Sequence, residues 1–109
     1  MSLDSRVHLV YVSKQRIRQL FNEGRYWIRA RNREFTLEYL HNKPAPREAR
    51  QVRGTKSQIV AYFDSNGEQV ALVHQYVKPD GTLGGSGKPD PKELRQGDVL
   101  YKIDYGDID

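Results

Sequence analysis

One segment constrains this chain more than any other. Ser57-Gln58-Ile59-Val60-Ala61-Tyr62-Phe63 is followed by Asp64-Ser65-Asn66-Gly67, and then by Glu68 to Val77. The first run is rich in β-branched and aromatic residues, and the four residues after it are turn formers. The pair is expected to be an antiparallel hairpin. The second run is apolar at both parities, with Val70, Leu72, His74 and Tyr76 on one side and Ala71, Val73, Gln75 and Val77 on the other. A strand with two apolar faces belongs in the middle of a sheet.

The rest of the chain is read around that hairpin. His8 to Val12 is short and apolar and reads as a strand. Ser13 stands where a helix N-cap is needed, and Ile17, Leu20 and Phe21 recur at helical spacing. A helix is expected over 14–23, with Gly24 closing it in a left-handed conformation. Residues 25–40 carry two readings. Tyr26-Trp27-Ile28 can continue helical structure or open a strand, while the alternation of Phe35, Leu37 and Tyr39 favours a strand over 34–40. No periodicity follows from His41 to Lys56, where Pro44, Pro46 and Gly54 fall, so 41–56 is expected to be a flexible basic loop. Lys78-Pro79-Asp80-Gly81 is a turn. Asp90-Pro91-Lys92-Glu93 has the order of a capped helix start, which Gly97 would limit to about one turn. Val99 to Ile103 reads as a last strand, and 104–109 as an acidic tail. Helices and strands are segregated along the chain. The expected class is therefore α+β: one small domain over 1–109, with an N-terminal strand and helix followed by a largely antiparallel meander.

Charge divides the same chain in two. Residues 1–56 hold 13 Lys and Arg against 5 Asp and Glu, and residues 57–109 hold 5 against 9. The basic half is matched to phosphate, to an acidic protein, or to the acidic half of a second copy in a homodimer. The bland alternative is a solvated surface that binds nothing. With no cysteine in the chain, disulfides, thiolate metal sites and cysteine nucleophiles are excluded. The first residues lack the apolar core of a signal peptide, and no apolar run approaches the roughly 20 residues of a membrane span. A cytoplasmic protein without membrane contact is the expectation.

Several chemical motifs fail on detail. Gly81-Thr82-Leu83-Gly84-Gly85-Ser86-Gly87-Lys88 invites a phosphate-loop reading, but five residues separate Gly81 from Gly87-Lys88, and Pro89 stands where a Ser or Thr must reach magnesium. A flexible loop is the plainer reading. His8, His41 and His74 have no metal-ligand spacing, and the carboxylates, including Asp104, Asp107 and Asp109, form no cluster suited to a metal-dependent nuclease. No metal and no cofactor is expected. No serine stands in a nucleophile-elbow context. His74 shares a strand face with Tyr76 two places on. The bland reading is a hydrogen-bonded histidine in the sheet. The functional one is a general acid or base, because an ordinary imidazole titrates near neutrality.

The strongest binding signal lies in 25–56. Arg25, Arg29, Arg31 and Arg33 interleave with Tyr26 and Trp27, and Lys43, Arg47, Arg50, Arg53 and Lys56 follow. Cations neutralise phosphates and flat rings stack on unpaired bases, so both residue types suit RNA or DNA. Tyr26 and Trp27 fit a core equally well.

The hairpin segments Ile59 to Gly67 and Val70 to Lys78 resemble the central hairpin of the RelE/HigB-type ribosome-dependent ribonuclease toxins. The order of strand, helix, basic stretch and strand meander is also similar. That resemblance implies metal-independent cleavage of RNA, with His74, Tyr76 and Lys78 as the catalytic surface. The glycine-rich loop after the hairpin and the acidic tail depart from the pattern. Three expectations therefore stand side by side: a non-enzymatic module binding nucleic acid or an acidic partner through 25–56, a toxin-type ribonuclease, and an interaction protein without a nucleic-acid role.

Overall fold

In the computed structural model, which describes residues 7–107, the chain runs β1 (His8–Val12), α1 (Lys14–Glu23), α2 (Tyr26–Arg31), β2 (Thr36–Pro44), β3 (Lys56–Phe63), β4 (Gln69–Val77), β5 (Asp90–Gln96) and β6 (Val99–Ile103). Short 3-10 turns cover Arg47–Ala49 and Tyr105–Asp107. The strands form one six-stranded sheet in the order β1-β6-β5-β4-β3-β2. The hairpin read from the sequence is present: β3 and β4 pair antiparallel, and β4 lies inside the sheet between β5 and β3.

The sheet is mixed, which corrects the expected meander. β1 lies parallel to β6, while the other pairs are antiparallel. The cause is the pair of helices between β1 and β2. They carry the chain from one edge of the sheet to the other, so β1 is left to dock beside the last strand rather than beside its successor.

α1 forms for the reasons its sequence suggests. Ser13 Oγ accepts the Arg16 N–H at 3.0 Å, and Ile17, Leu20 and Phe21 are buried. Its exit differs. Gly24 is right-handed at φ −80°, and Arg25 takes the left-handed position at φ 57°. Glycine is required at 24 for space: a Cβ there would overlap Tyr26 Cε1. Tyr26 is held so close because it belongs to a closed ring of four aromatics. Phe21, Tyr26, Phe35 and Tyr62 follow one another with centroids 5.7, 5.9, 6.0 and 6.3 Å apart around the circuit. Val60, Ala71, Val73, Leu94 and Ile103 complete the core beneath the helices. Burial pushes the Tyr62 hydroxyl far above its ordinary range, so it stays protonated.

Two further expectations change. The one-turn helix at Asp90 is strand β5. Leu94 and Pro91 are fully buried, and pairing with β4 and β6 outweighs a local helix signal one turn long. Glu93 pairs with Leu72 and Pro91 with Val73, so Lys92 is an inserted bulge residue. The bulge lets Pro91 and Leu94 face one core at a spacing of three, and it hides the alternation expected of a strand. The expected loop 41–56 contracts to the connection 45–55. His41 to Pro44 extend β2 against β3, Lys56 opens β3, and the Arg47–Ala49 turn lies between. This part of β2 is an exposed polar edge, so it carries no apolar pattern to read. At the other terminus, the Asp104 N–H donates to Val12 O at 2.8 Å, and Tyr105–Asp107 forms its short turn. Ile108 and Asp109 of the expected tail lie outside the described residues. Among the described residues, no helix is long and apolar enough to cross a membrane.

Candidate nucleic-acid interface

The helix layer is shorter than the sheet it covers. β4 runs on past Asp90, the first residue of β5, to Val77. Around this uncovered end lie three adjoining hollows. The first, about 240 Å³, is lined by Trp27, Arg31, Tyr39, Gln75 and Leu83. The second, about 300 Å³, shares Trp27 and Arg31 with it and adds Arg25, Ile28 and Lys88. The third, about 370 Å³, shares Lys88 with the second and Gln75 with the first, and adds Arg18, His74, Tyr76 and Asp90. Together they make a bent trough between α1, α2, the end of β4 and the segment 81–91.

The glycine-rich segment is the wall of that trough. The Gly84 N–H donates to Tyr76 O at 2.8 Å, and the Lys78 N–H donates to Thr82 O at 2.8 Å, which straps the segment to the end of β4. Gly85 (φ 62°) and Gly87 (φ 80°) adopt the left-handed turns that return the chain to β5. A side chain at Gly84 would have to turn the Gln51 amide aside. Lys88 is exposed at the junction of the second and third hollows.

Positive charge dominates the lining. Arg18, Arg25, Arg31 and Lys88 face a single carboxylate, Asp90. That carboxylate is already engaged: Arg18 Nε lies 3.2 Å from Oδ1 and Lys92 Nζ 3.1 Å from Oδ2. Burial would raise the Asp90 pKa, but the hydrogen bond and charge of Lys92, joined by Arg18, hold it below its ordinary value. Arg31 lies over the Trp27 ring at 4.9 Å, which makes a flat cationic platform.

His74 and Tyr76 share a strand face, as their spacing implies, with ring centroids 4.7 Å apart and nearly perpendicular. His74 Nε2 lies 2.8 Å from Ser57 Oγ. Partial burial, with the charge of Lys92 adding to it, holds the His74 pKa below its ordinary 6.5, while Asp90 opposes the shift. The imidazole is therefore neutral at pH 7. On the other face of β4, three amides form a ladder across the strands. Gln75 Nε2 donates to Gln58 Oε1 at 2.9 Å, and Gln58 Nε2 donates to Asn42 Oδ1 at 3.3 Å.

The structure sorts the basic residues expected to bind. Arg25 and Arg31 line the trough. Arg29 does not: its guanidinium sits 4.6 Å from the Phe35 centroid, pairs with Glu34 at 3.1 Å and donates to Gly24 O, so it seals the core. Arg33 occupies a left-handed turn at φ 64° after α2. Arg47, Arg53 and Lys56 meet around a separate hollow of about 600 Å³ on the 45–55 connection, while Lys43 and Arg50 are exposed elsewhere on that side. Of the three residues tied to catalysis by the toxin resemblance, His74 and Tyr76 are in the third hollow, and Lys78 stands in the turn beyond it. Tyr26 is core, and Trp27 is half-buried at the trough. Sequence reasoning missed Arg18, Lys88, Gln75 and Ser57. Each looks ordinary in its own segment, and Arg18, Gln75 and Lys88 lie outside the basic stretch that Ser57 merely follows. No group of three or more His, Cys, Asp or Glu side chains able to hold a metal occurs among the described residues.

Compared with family models, curated proteins and solved structures, the chain matches none.

Proposed function

We propose that this protein binds single-stranded nucleic acid along the trough between α1, α2 and the end of β4. One observation carries the reading: three adjoining hollows pair aromatic and amide surfaces with four cations and one already neutralised carboxylate. Grooves that bind single strands combine these parts, with cations following the phosphates and flat side chains meeting the bases. The test is fluorescence anisotropy of a dye-labelled oligonucleotide across salt concentrations. Four phosphate contacts on a single strand predict a log–log salt slope of about −3. Absence of binding at low salt, or binding indifferent to salt, overturns the proposal.

A second reading rests on the Ser57–His74 contact. A neutral imidazole beside Tyr76, with Lys92 as the cation whose charge reaches it, has a group to accept a proton from an RNA 2′-hydroxyl and a charge to oppose the one that develops at the phosphate. Incubating RNA with the protein in the presence of a chelator, with and without ribosomes, tests it. Cleavage that disappears in His74→Ala supports a ribonuclease. Intact RNA in every lane leaves a binding module only.

A further inference from the structure

We infer that the first hollow, between Trp27 and Gln75, is a subsite for one unpaired nucleobase. The inference deepens the proposed function and rests on it. The hollow has three features that a base needs together. Its size is that of a small flat group, about 240 Å³. Its rim holds aromatic surface in Trp27 and Tyr39, with the Arg31 guanidinium over the Trp27 ring at 4.9 Å. Its floor holds an amide whose orientation is set by its neighbours.

The amide is the decisive part. The ladder from Gln75 through Gln58 to Asn42 uses one Gln75 N–H, at 2.9 Å from Gln58 Oε1. The other Gln75 N–H and the Gln75 Oε1 have no hydrogen-bond partner among the described side chains. They leave a donor and an acceptor for a ligand in the lining of the hollow. A base edge presents the complementary pair, a ring or carbonyl acceptor beside an N–H donor, and amide side chains read adenine in this way. In a duplex those edges are paired and the ring faces are stacked, so the hollow selects unpaired bases. A purine is favoured over a pyrimidine because its larger ring covers more of Trp27 and Arg31. The cations at the neighbouring hollow, Arg25 and Lys88, then stand where the adjoining phosphates pass.

The chain supplies its own reporter, since Trp27 is its single tryptophan. Intrinsic fluorescence is followed while an oligo(dA) of about 12 nucleotides, a length within the span of such grooves, is added. Anisotropy of a dye on the same strand measures binding independently. The expected result is saturable quenching of Trp27 at the anisotropy midpoint, with affinity falling about tenfold in Gln75→Leu. A strand of the same length made of abasic nucleotides keeps the phosphates, and is expected to bind more weakly and leave Trp27 unquenched. If oligo(dA) binds but Trp27 is unchanged, or if the abasic strand binds as tightly, the base subsite is overturned while the trough stands. If neither strand changes the anisotropy, the proposed function fails and the subsite fails with it.

Discussion

The two ends of the helix-bearing sheet face are built from the same strands and have opposite chemistry. At one end, Phe21, Tyr26, Phe35 and Tyr62 close their ring under α1 and α2. At the other, where the helices stop, the same strands carry Asn42, Gln58 and Gln75, and the border is cationic. Coverage decides the difference. A position under a helix must be apolar or fully hydrogen-bonded, whereas a position beyond the helix can spend its polar atoms on a ligand. Arg29 and Arg31 make the same point within one turn of α2. Arg29 lies over Tyr26 and Phe35 and is bound to Glu34, while Arg31 lies over Trp27 at the open end.

If the covered end is the structural half, the largest effect belongs there. Phe21→Ala removes a fully buried ring from the aromatic circuit and is expected to cost about 3–5 kcal/mol in urea unfolding. A loss under 1 kcal/mol would mean that the circuit does not hold the helices down. Next comes Gly24→Ala, whose methyl must displace the Tyr26 ring. It is expected to cost about 1–3 kcal/mol by the same measurement, and a neutral result would show that Tyr26 has room to move. The open end is expected to behave in reverse. Lys88→Ala leaves stability within about 0.5 kcal/mol, and it flattens the salt slope of oligonucleotide binding by about 0.7, the share of one phosphate contact on a single strand.

Arg25 tests both ends in one residue. It is held left-handed at φ 57° yet stands at the trough. Arg25→Gly is expected to raise stability by about 0.5–1 kcal/mol by relieving that backbone, while weakening binding. Loss of both would place Arg25 in the structural half. The smallest effect is that of pH on His74. Its folded pKa lies below the ordinary 6.5, so the native state binds fewer protons than the unfolded chain between those two values. Its contribution is complete above 6.5 and is lost as pH falls through the window beneath. Urea midpoints measured from about pH 7.5 down to about pH 5 are therefore expected to fall more steeply in the wild type than in His74→Gln. Parallel curves would show that burial at His74 does not matter to folding.

The legible parts of the molecule are those whose signal lies in contiguous residues. The β3–β4 hairpin was visible because turn chemistry and alternation occur within 21 residues of chain, Ser57 to Val77. α1 was visible because Ser13, Ile17, Leu20 and Phe21 lie within three turns. β5 is not legible as a strand because its bulge at Lys92 breaks the alternation, while Asp90-Pro91 imitates a helix start. The site was legible in part. Arg25, Arg31, His74 and Tyr76 stood out by type, but nothing local separated Arg31 from Arg29, although one lines the trough and the other seals the core.

The amino-acid order by itself determined the hairpin and the first helix with its apolar stripe of Ile17, Leu20 and Phe21, because hydrophobic period and turn preference act between near neighbours. Only the tertiary structure decided that β1 lies parallel to β6, that β5 is a strand, and that Arg18, Trp27, Gln75 and Lys88 border one trough. Those outcomes depend on which edge each strand finds and on how far two short helices reach across six strands. Pairing and coverage are properties of segments distant in sequence, and no window along the chain contains them.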